Sequence, residues 1–227
     1  MYRKVVKRLL DIILSFIALV VLFPLLLPVK LILLLTGEHY IFYGQKRVGF
    51  KNKPFKIWKF ATMLKASPSL GAGSITLRND PRVFPFGRIL RKSKINELPR
   101  LFNILIGDMS IIGLRPLMKV DFDKYSKEIQ DKIYNVRPGL TGIASIIFAD
   151  EEKFHSDTEI YPHKFDRLYI APYKGALELW YQRKCNFYTD MIIVFLTVVM
   201  VFNAESKLPF RFFLDLPQMK EFIHQKK

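Results

Sequence analysis

Between Thr76 and Pro116 the residue types favour phosphate chemistry. Four arginines, Arg78, Arg82, Arg88 and Arg91, lead into Asn96-Glu97-Leu98-Pro99, and Gly107-Asp108-Met109-Ser110 and Gly113-Leu114-Arg115-Pro116 follow. Guanidinium forks match the paired oxygens of a phosphate, and the free N–H groups at a helix start do the same. Ser93 or Asn96 is placed to cap a helix with Pro99 in its first turn, which sets Glu97 at a helix N-terminus among the arginines. One carboxylate beside such a cluster suits a divalent metal that bridges phosphates. A second reading uses the same residues: the arginines face anionic lipid and Glu97 balances them. The residues alone weigh the two evenly.

The charge balance says where such a site would work. The 227 residues carry 36 Lys+Arg against 20 Asp+Glu, a net +16. Residues 1–100 hold 19 basic and four acidic side chains, whereas residues 101–227 are nearly neutral at +1. Half of the chain is hydrophobic and 14% is aromatic, too apolar for a disordered polypeptide. One cysteine, Cys185, excludes an internal disulfide and any CxxC metal or redox motif. His39, His155, His163 and His224 lack zinc-ligand spacing and read as surface residues.

Ahead of the basic stretch, Ile12–Val29 is eighteen residues without a charge, at the threshold for a membrane helix of ~20 residues. No A-x-A-like site follows, which argues against a removable signal peptide. A helix apolar on every face also asks for a larger core than this chain offers. Pro24 and Pro28 each remove a backbone N–H, so a kink or break is expected there. Arg3, Lys4, Lys7 and Arg8 precede the segment, and Lys46, Arg47, Lys51, Lys53, Lys56 and Lys59 follow it. Positive flanks favour the cytoplasmic side, so a segment that dips in, bends at the prolines and returns satisfies both ends. The remainder would then be cytoplasmic, its basic front against anionic lipid.

The rest of the chain reads as short elements. Tyr40–Tyr43 and Phe55–Phe60 are β-prone runs around a Gly/Lys/Asn-rich stretch, the pattern of a hairpin with a basic loop. Lys65–Ser74 reads as a mobile loop of small residues. Helical patterns cover Glu97–Ile106 and Asp121–Val136, the second with Phe122, Tyr125, Ile129 and Ile133 as an apolar stripe. Met191–Phe202, twelve apolar residues, is too short to span and reads as a core or interfacial helix. The tail Pro209–Lys227 carries Phe210, Phe212, Phe213, Leu214, Leu216, Met219, Phe222 and Ile223. That pattern suits the bilayer surface or packing on the domain equally.

Five blocks in order carry a resemblance: KRLLDIILS at 7–15, GQKRVG at 44–49, KFATM at 59–63, the long run from Asn79 to Pro116, and VRPGLTG at 136–142. Together they resemble the bacterial sugar transferase family, the monotopic phosphoglycosyl transferases. The resemblance implies a mainly α fold with a small β-hairpin, a re-entrant membrane helix kinked at proline (residues 1–36), a cytoplasmic catalytic domain (37–206) and an amphipathic tail (207–227). It implies transfer of a phosphosugar from a UDP-sugar to polyprenyl (undecaprenyl) phosphate at the cytoplasmic face of the bacterial inner membrane. UMP would be released, and the step would open the synthesis of a surface polysaccharide or glycoconjugate.

Carried over by position, Glu97 is the Mg²⁺ ligand and a catalytic residue, and Asn96 occupies the family's nucleophile position. Lys59, Arg91 and Arg115 would contact phosphates, and Asp190 would support the site. Three positions depart from the family pattern: Asn96 for Asp, Ala61 for Arg and Leu114 for Pro. An amide is a weak nucleophile, so covalent catalysis through position 96 needs a substitute. Four routes stay open: attack by Glu97, direct attack by the acceptor phosphate, deamidation of Asn96, or another carboxylate among Asp80, Asp108, Asp150, Glu151 and Glu152. The first two rank highest because they keep the rest of the site. A rival reading is a catalytically silent relative that binds UDP-sugar or polyprenyl phosphate as a scaffold. Nucleic acid also suits the basic front, but Ile12–Val29 ties that surface to lipid, so no such partner is expected. A homodimer stays open.

Overall fold

Apolar side chains dictate the first element. In the computed structural model, which describes residues 2–67, 80–149, 169–203 and 206–219, helix α1 runs over Lys7–Leu35. Pro24 and Pro28 both lie inside it, and the helix continues through them without a break. It is the one described helix long and apolar enough to cross a membrane. Phe16, Ile17, Val20, Val21 and Phe23 are each more than half exposed. Near its C-terminal end a narrow stripe packs on protein: Val29 and Leu33 are buried with Phe60 and Leu90, and Leu26 adjoins them. Gly37, at φ 63, takes the left-handed conformation that ends a helix without a Cβ penalty. Exposed His39 accompanies that end, its Nδ1 2.8 Å from the Leu34 carbonyl oxygen.

The chain forms two compact units, each discontinuous in sequence. The front unit is Ile12–Lys46 with Lys56–Ile106, and the back unit is Met1–Asp11 with Arg47–Phe55 and Gly107–Lys227. Strands β1 (Phe42–Val48) and β2 (Pro54–Phe60) pair as the expected hairpin. The strands are longer and the loop shorter than the sequence suggests. Gly44, which reads as loop, lies in β1, where a Cβ would meet the Trp58 ring at 3.3 Å. Of the Lys65–Ser74 stretch only residues 65–67 fall within the described residues.

In the front unit, helix α2 (Pro85–Lys92) starts on proline and buries Gly87 and Leu90. Ser93 proves to be its C-cap rather than the N-cap of the next helix, its Oγ donating to the Ile89 carbonyl. The expected helix over 97–106 splits into a 3-10 turn, Ile95–Glu97, and helix α3, Arg100–Ile106, because Pro99 supplies no N–H at the join. Asn103 on α3 is fully buried. It accepts from the Trp58 N–H (2.9 Å) and donates to the Lys56 carbonyl (2.8 Å), so its amide pairs with β2 as another strand would.

The back unit is built on β3 (Ser110–Ile112), which pairs in parallel with a later strand not anticipated from sequence. Helices α4 (Lys119–Phe122) and α5 (Lys127–Ile133) replace the single helix expected over 121–136. Ser126 interrupts that pattern, its side chain accepting from the Ile129 N–H as an N-cap. The predicted stripe is core: Phe122, Tyr125 and Ile133 are buried, with Ile129 against them. Strand β4 (Gly139–Thr141) places Ser110 beside Gly139 and Ile112 beside Thr141. Helices α6 (Ile143–Ile147), α7 (Ala171–Lys184), α8 (Phe187–Phe202) and α9 (Leu208–Phe212) complete the unit.

Helix α8 has one apolar face in the core and one outside it. Ile192, Ile193, Leu196 and Met200 are buried, whereas Phe195, Val198, Val201 and Phe202 are more than half exposed. The tail divides likewise: Phe213 packs on Trp180 at 4.9 Å and Leu216 is buried, but Leu214 is 86% exposed. Phe222 and Ile223 lie outside the described residues.

Candidate functional site

Strand β2 sets the first side chains. Along β2, Ile57 and Phe60 are buried and Lys59 is half-buried between them and solvent. Ala61, where the family pattern has Arg, is buried and its N–H donates to the Ile41 carbonyl (2.8 Å). Thr62 follows, packed so closely on α2 that a Cβ on Gly87 would lie 2.4 Å from its carbonyl oxygen. That approach lets Arg91, one turn along α2, donate from Nη1 to Thr62 Oγ1 (3.4 Å).

Arg91 also lies within electrostatic reach of Glu97, Asp80 and Arg82. Burial, helped by Arg82, pushes its guanidinium below the usual value, while the two carboxylates oppose the shift. An arginine stays charged under such a shift, so the site keeps a desolvated cation suited to phosphate oxygens. The expected convergence of four arginines is reduced. Arg82 is buried and engaged with both carboxylate oxygens of Asp80, Arg88 is exposed, and Arg78 lies outside the described residues. Asp80, held this way, is a structural anion, which removes it as a ready nucleophile.

Asn96 is buried in the 3-10 turn, and its Oδ1 makes no hydrogen bond. Buried polar atoms are almost always paired, so this oxygen is a vacancy for a donor or a cation. Glu97 is about one-third exposed and takes a hydrogen bond on Oε1 from Arg100 Nη2 (2.9 Å). Among the described residues no three His, Cys, Asp or Glu side chains gather as a metal cage. The donor set nevertheless fits Mg²⁺, which is ordinarily held by one or two carboxylates together with substrate phosphates. Glu97 would supply the carboxylate, and the residue before it, Asn96, carries an unpaired neutral oxygen.

The remaining two site residues belong to the back unit. Arg115 is exposed, and its backbone is tied down: the N–H donates to Glu178 Oε1 (3.2 Å) and the carbonyl accepts from Tyr134 Oη (2.9 Å). Leu114, in place of the family's proline, is fully buried in the core. Asp190 is 1% exposed and accepts from three groups: Lys7 Nζ (2.5 Å), Tyr2 Oη (2.5 Å) and Tyr181 Oη (2.7 Å). Its carboxylate thereby anchors the start of the chain to α8. Lys59, Arg91, Asn96 and Glu97 thus share one unit, and Arg115 and Asp190 share the other.

Sequence reasoning missed several polar residues. Asp11, 4% exposed, accepts from Ser110 Oγ (3.0 Å) and the Ile111 N–H (2.9 Å), joining the first turns of α1 to β3. Its signal was an acid inside an otherwise apolar and basic segment. Glu178 is buried among Leu177, Trp180 and Tyr181, and its signal was an acid within an aromatic helix face. Asp150, Glu151, Glu152, His155, His163 and His224 lie outside the described residues.

Comparison with known proteins gives the family. The model of a family described as bacterial sugar transferase matches residues 2–204. A UDP-N-acetylgalactosamine-undecaprenyl-phosphate N-acetylgalactosaminephosphotransferase of Aeromonas hydrophila is 33% identical over 198 residues, covering 85% of this chain and 43% of the relative. A UDP-glucose:undecaprenyl-phosphate glucose-1-phosphate transferase of Klebsiella pneumoniae is 32% identical, with 90% of this chain and 42% of the relative covered. The exopolysaccharide production protein ExoY of Sinorhizobium fredii is 30% identical, covering 86% of this chain and 84% of its own length. The chain spans less than half the length of the first two relatives.

Proposed function

Because the chain belongs to the bacterial sugar transferase family, we propose that it moves a phosphosugar from a UDP-sugar to polyprenyl (undecaprenyl) phosphate and releases UMP. The observation that carries this reading is Arg91, a desolvated cation held on Thr62 within electrostatic reach of Glu97, whose neighbour Asn96 has an unpaired buried oxygen. Such a grouping can bind a diphosphate and neutralise charge that develops on it, which is most of what phosphoryl transfer asks of a protein. The relatives with named reactions are phosphosugar transferases, so the scaffold reading draws no support from them.

The route we favour is direct displacement. An oxygen of the acceptor phosphate forms a bond to the sugar-bearing phosphorus, and the bond from that phosphorus to the UMP oxygen breaks. The electron pair leaves with UMP. Lys59 and Arg91 in the front unit, and Arg115 in the back unit, are each read as phosphate-binding groups, and no protein carboxylate is consumed. Mg²⁺, held by Glu97 with substrate phosphates, would offset the diphosphate charge. The acceptor and the exposed apolar length of α1 both suit a membrane setting. We place α1 as a re-entrant segment bent at Pro24 and Pro28, with residues 37–206 on the cytoplasmic face of the inner membrane and the tail from 207 at its surface. Basic residues at both ends of α1 support that placement. A second copy of the chain is a further partner compatible with this arrangement.

The test is UMP release by the detergent-purified protein given polyprenyl phosphate, Mg²⁺ and a panel of UDP-sugars. Release is expected from protein that mass spectrometry shows to retain Asn96, only when the acceptor is present, and it should vanish in Glu97→Ala. Undiminished turnover in Glu97→Ala would overturn the site. Release only from Asn96→Asp would return the scaffold reading.

A further inference from the structure

A carboxyl buried in α7 grips the backbone of the segment that carries Arg115. Along Arg115–Leu117 every backbone polar group has a partner. The Arg115 N–H donates to Glu178 Oε1 (3.2 Å), and the Arg115 carbonyl accepts from Tyr134 Oη (2.9 Å). The Pro116 carbonyl accepts from Arg47 Nη1 (3.3 Å). The Leu117 N–H donates to Tyr134 Oη (2.9 Å), and the Leu117 carbonyl accepts from the Val48 N–H (2.8 Å). Pro116 has no N–H to satisfy. The backbone is therefore closed on the protein side while the Arg115 side chain remains exposed.

Glu178 is a costly way to fill a core. It is 4% exposed, and its Oε2 makes no hydrogen bond. A leucine would fill a similar volume without burying an unpaired polar oxygen. What a leucine lacks is an acceptor for the Arg115 N–H. Tyr134, buried at 1% exposure, holds the other side of the same residue with one hydroxyl that both donates and accepts. Two buried side chains, one in α7 and one in the turn that ends α5, thus fix one residue whose own side chain is exposed.

We propose that Glu178 and Tyr134 are positioning residues for Arg115, setting the backbone so that its guanidinium meets a substrate phosphate in one geometry. This rests on the reading of Arg115 as a phosphate-binding group. Misplacement of such a group by about 1 Å weakens its contribution strongly, because paired guanidinium–phosphate bonds are directional.

UDP is the probe, since its diphosphate is shared by every candidate donor sugar nucleotide. Calorimetric titration of the detergent-purified full chain with UDP and Mg²⁺ reads the dissociation constant and the binding-competent fraction separately. Arg115→Ala is expected to weaken UDP about tenfold, the scale of a lost charge-assisted pair. Glu178→Leu should weaken it by about three- to tenfold at unchanged stoichiometry, whereas Glu178→Gln, whose amide oxygen still accepts from the Arg115 N–H, should stay within about twofold. A merely structural role would lower the stoichiometry of Glu178→Leu and leave its dissociation constant alone, and that result overturns the proposal. Should Glu178→Leu fail to fold, Tyr134→Phe takes its place with the same expected weakening, and an unchanged constant there is equally fatal. Unchanged binding in Arg115→Ala would instead remove the reading of Arg115 on which the proposal stands.

Discussion

Glu178 shows how one side chain sets a property of the whole protein. Burial drives its carboxyl up to about 8, against opposition from the Arg115 N–H and the charges of Lys174 and Arg115. In the unfolded chain the same group ionises near 4.5. Between those values the folded state keeps a proton that the unfolded state has released, so stability falls as pH rises from about 4.5 to about 8. The loss is on the order of 5 kcal/mol when complete. Glu178→Gln mimics the protonated form and should lack this slope. Unfolding midpoints at pH 5, 6.5 and 8 would show the variant gaining on the wild type with pH, and parallel curves would sink the assignment. Asn96 and Glu97 were visible in the sequence because they sit in a motif beside basic residues. Glu178 was not, since its partner is 63 residues away and an acid within an aromatic helix face does not name the group it pairs with.

At the scale of elements, two motifs gain their meaning from one contact. GLRP and VRPGLTG each contain glycines that seem free to vary until β3 and β4 are paired. A Cβ on Gly139 would stand 2.2 Å from Gly113 N, and one on Gly113 would stand 2.4 Å from the Arg137 carbonyl oxygen. Both obstacles are backbone, which cannot move aside without breaking the parallel pair. Gly139→Ala should therefore destabilise the protein by about 3 kcal/mol or more. Gly44→Ala, whose Cβ meets only side chains, the Trp58 ring at 3.3 Å and Lys56 Cδ at 3.6 Å, should cost much less. Thermal unfolding of the two variants checks this, and equal midpoints would refute it. The helices expected over 97–106 and 121–136 were legible as helical and wrong in length. Pro99 and Ser126 act locally, but whether they end a helix or ride within it depends on the packing around them.

At the scale of the molecule, the length of α1 and its charged flanks were both legible, and they lead to opposite sides of the same question. The helix is long enough to cross a bilayer, while basic residues stand before and after it. A re-entrant path keeps both ends on one face. Cysteines placed singly before Ile12 and after Leu35, in a Cys185→Ser background, should both be labelled by an impermeant thiol reagent from the cytoplasmic side alone. Labelling of the two ends from opposite faces would mean a true span.

The sequence by itself determined what depends on composition and near neighbours: an apolar first helix, an asymmetric positive charge, a β-hairpin, and the Asn96–Glu97 pair in a basic surrounding. These follow from side-chain hydrophobicity, charge and short spacing, which the chain carries wherever it folds. Only the tertiary structure decided which charged groups are spent on architecture. Asp80 is taken by Arg82, Asp190 by Tyr2, Lys7 and Tyr181, and Asp11 by Ser110 and Ile111. The long-range partnerships among these, like that of Glu178 with Arg115, join residues tens of positions or more apart. They exist because a buried polar group must find a partner in space, and the nearest one in space is seldom the nearest in sequence.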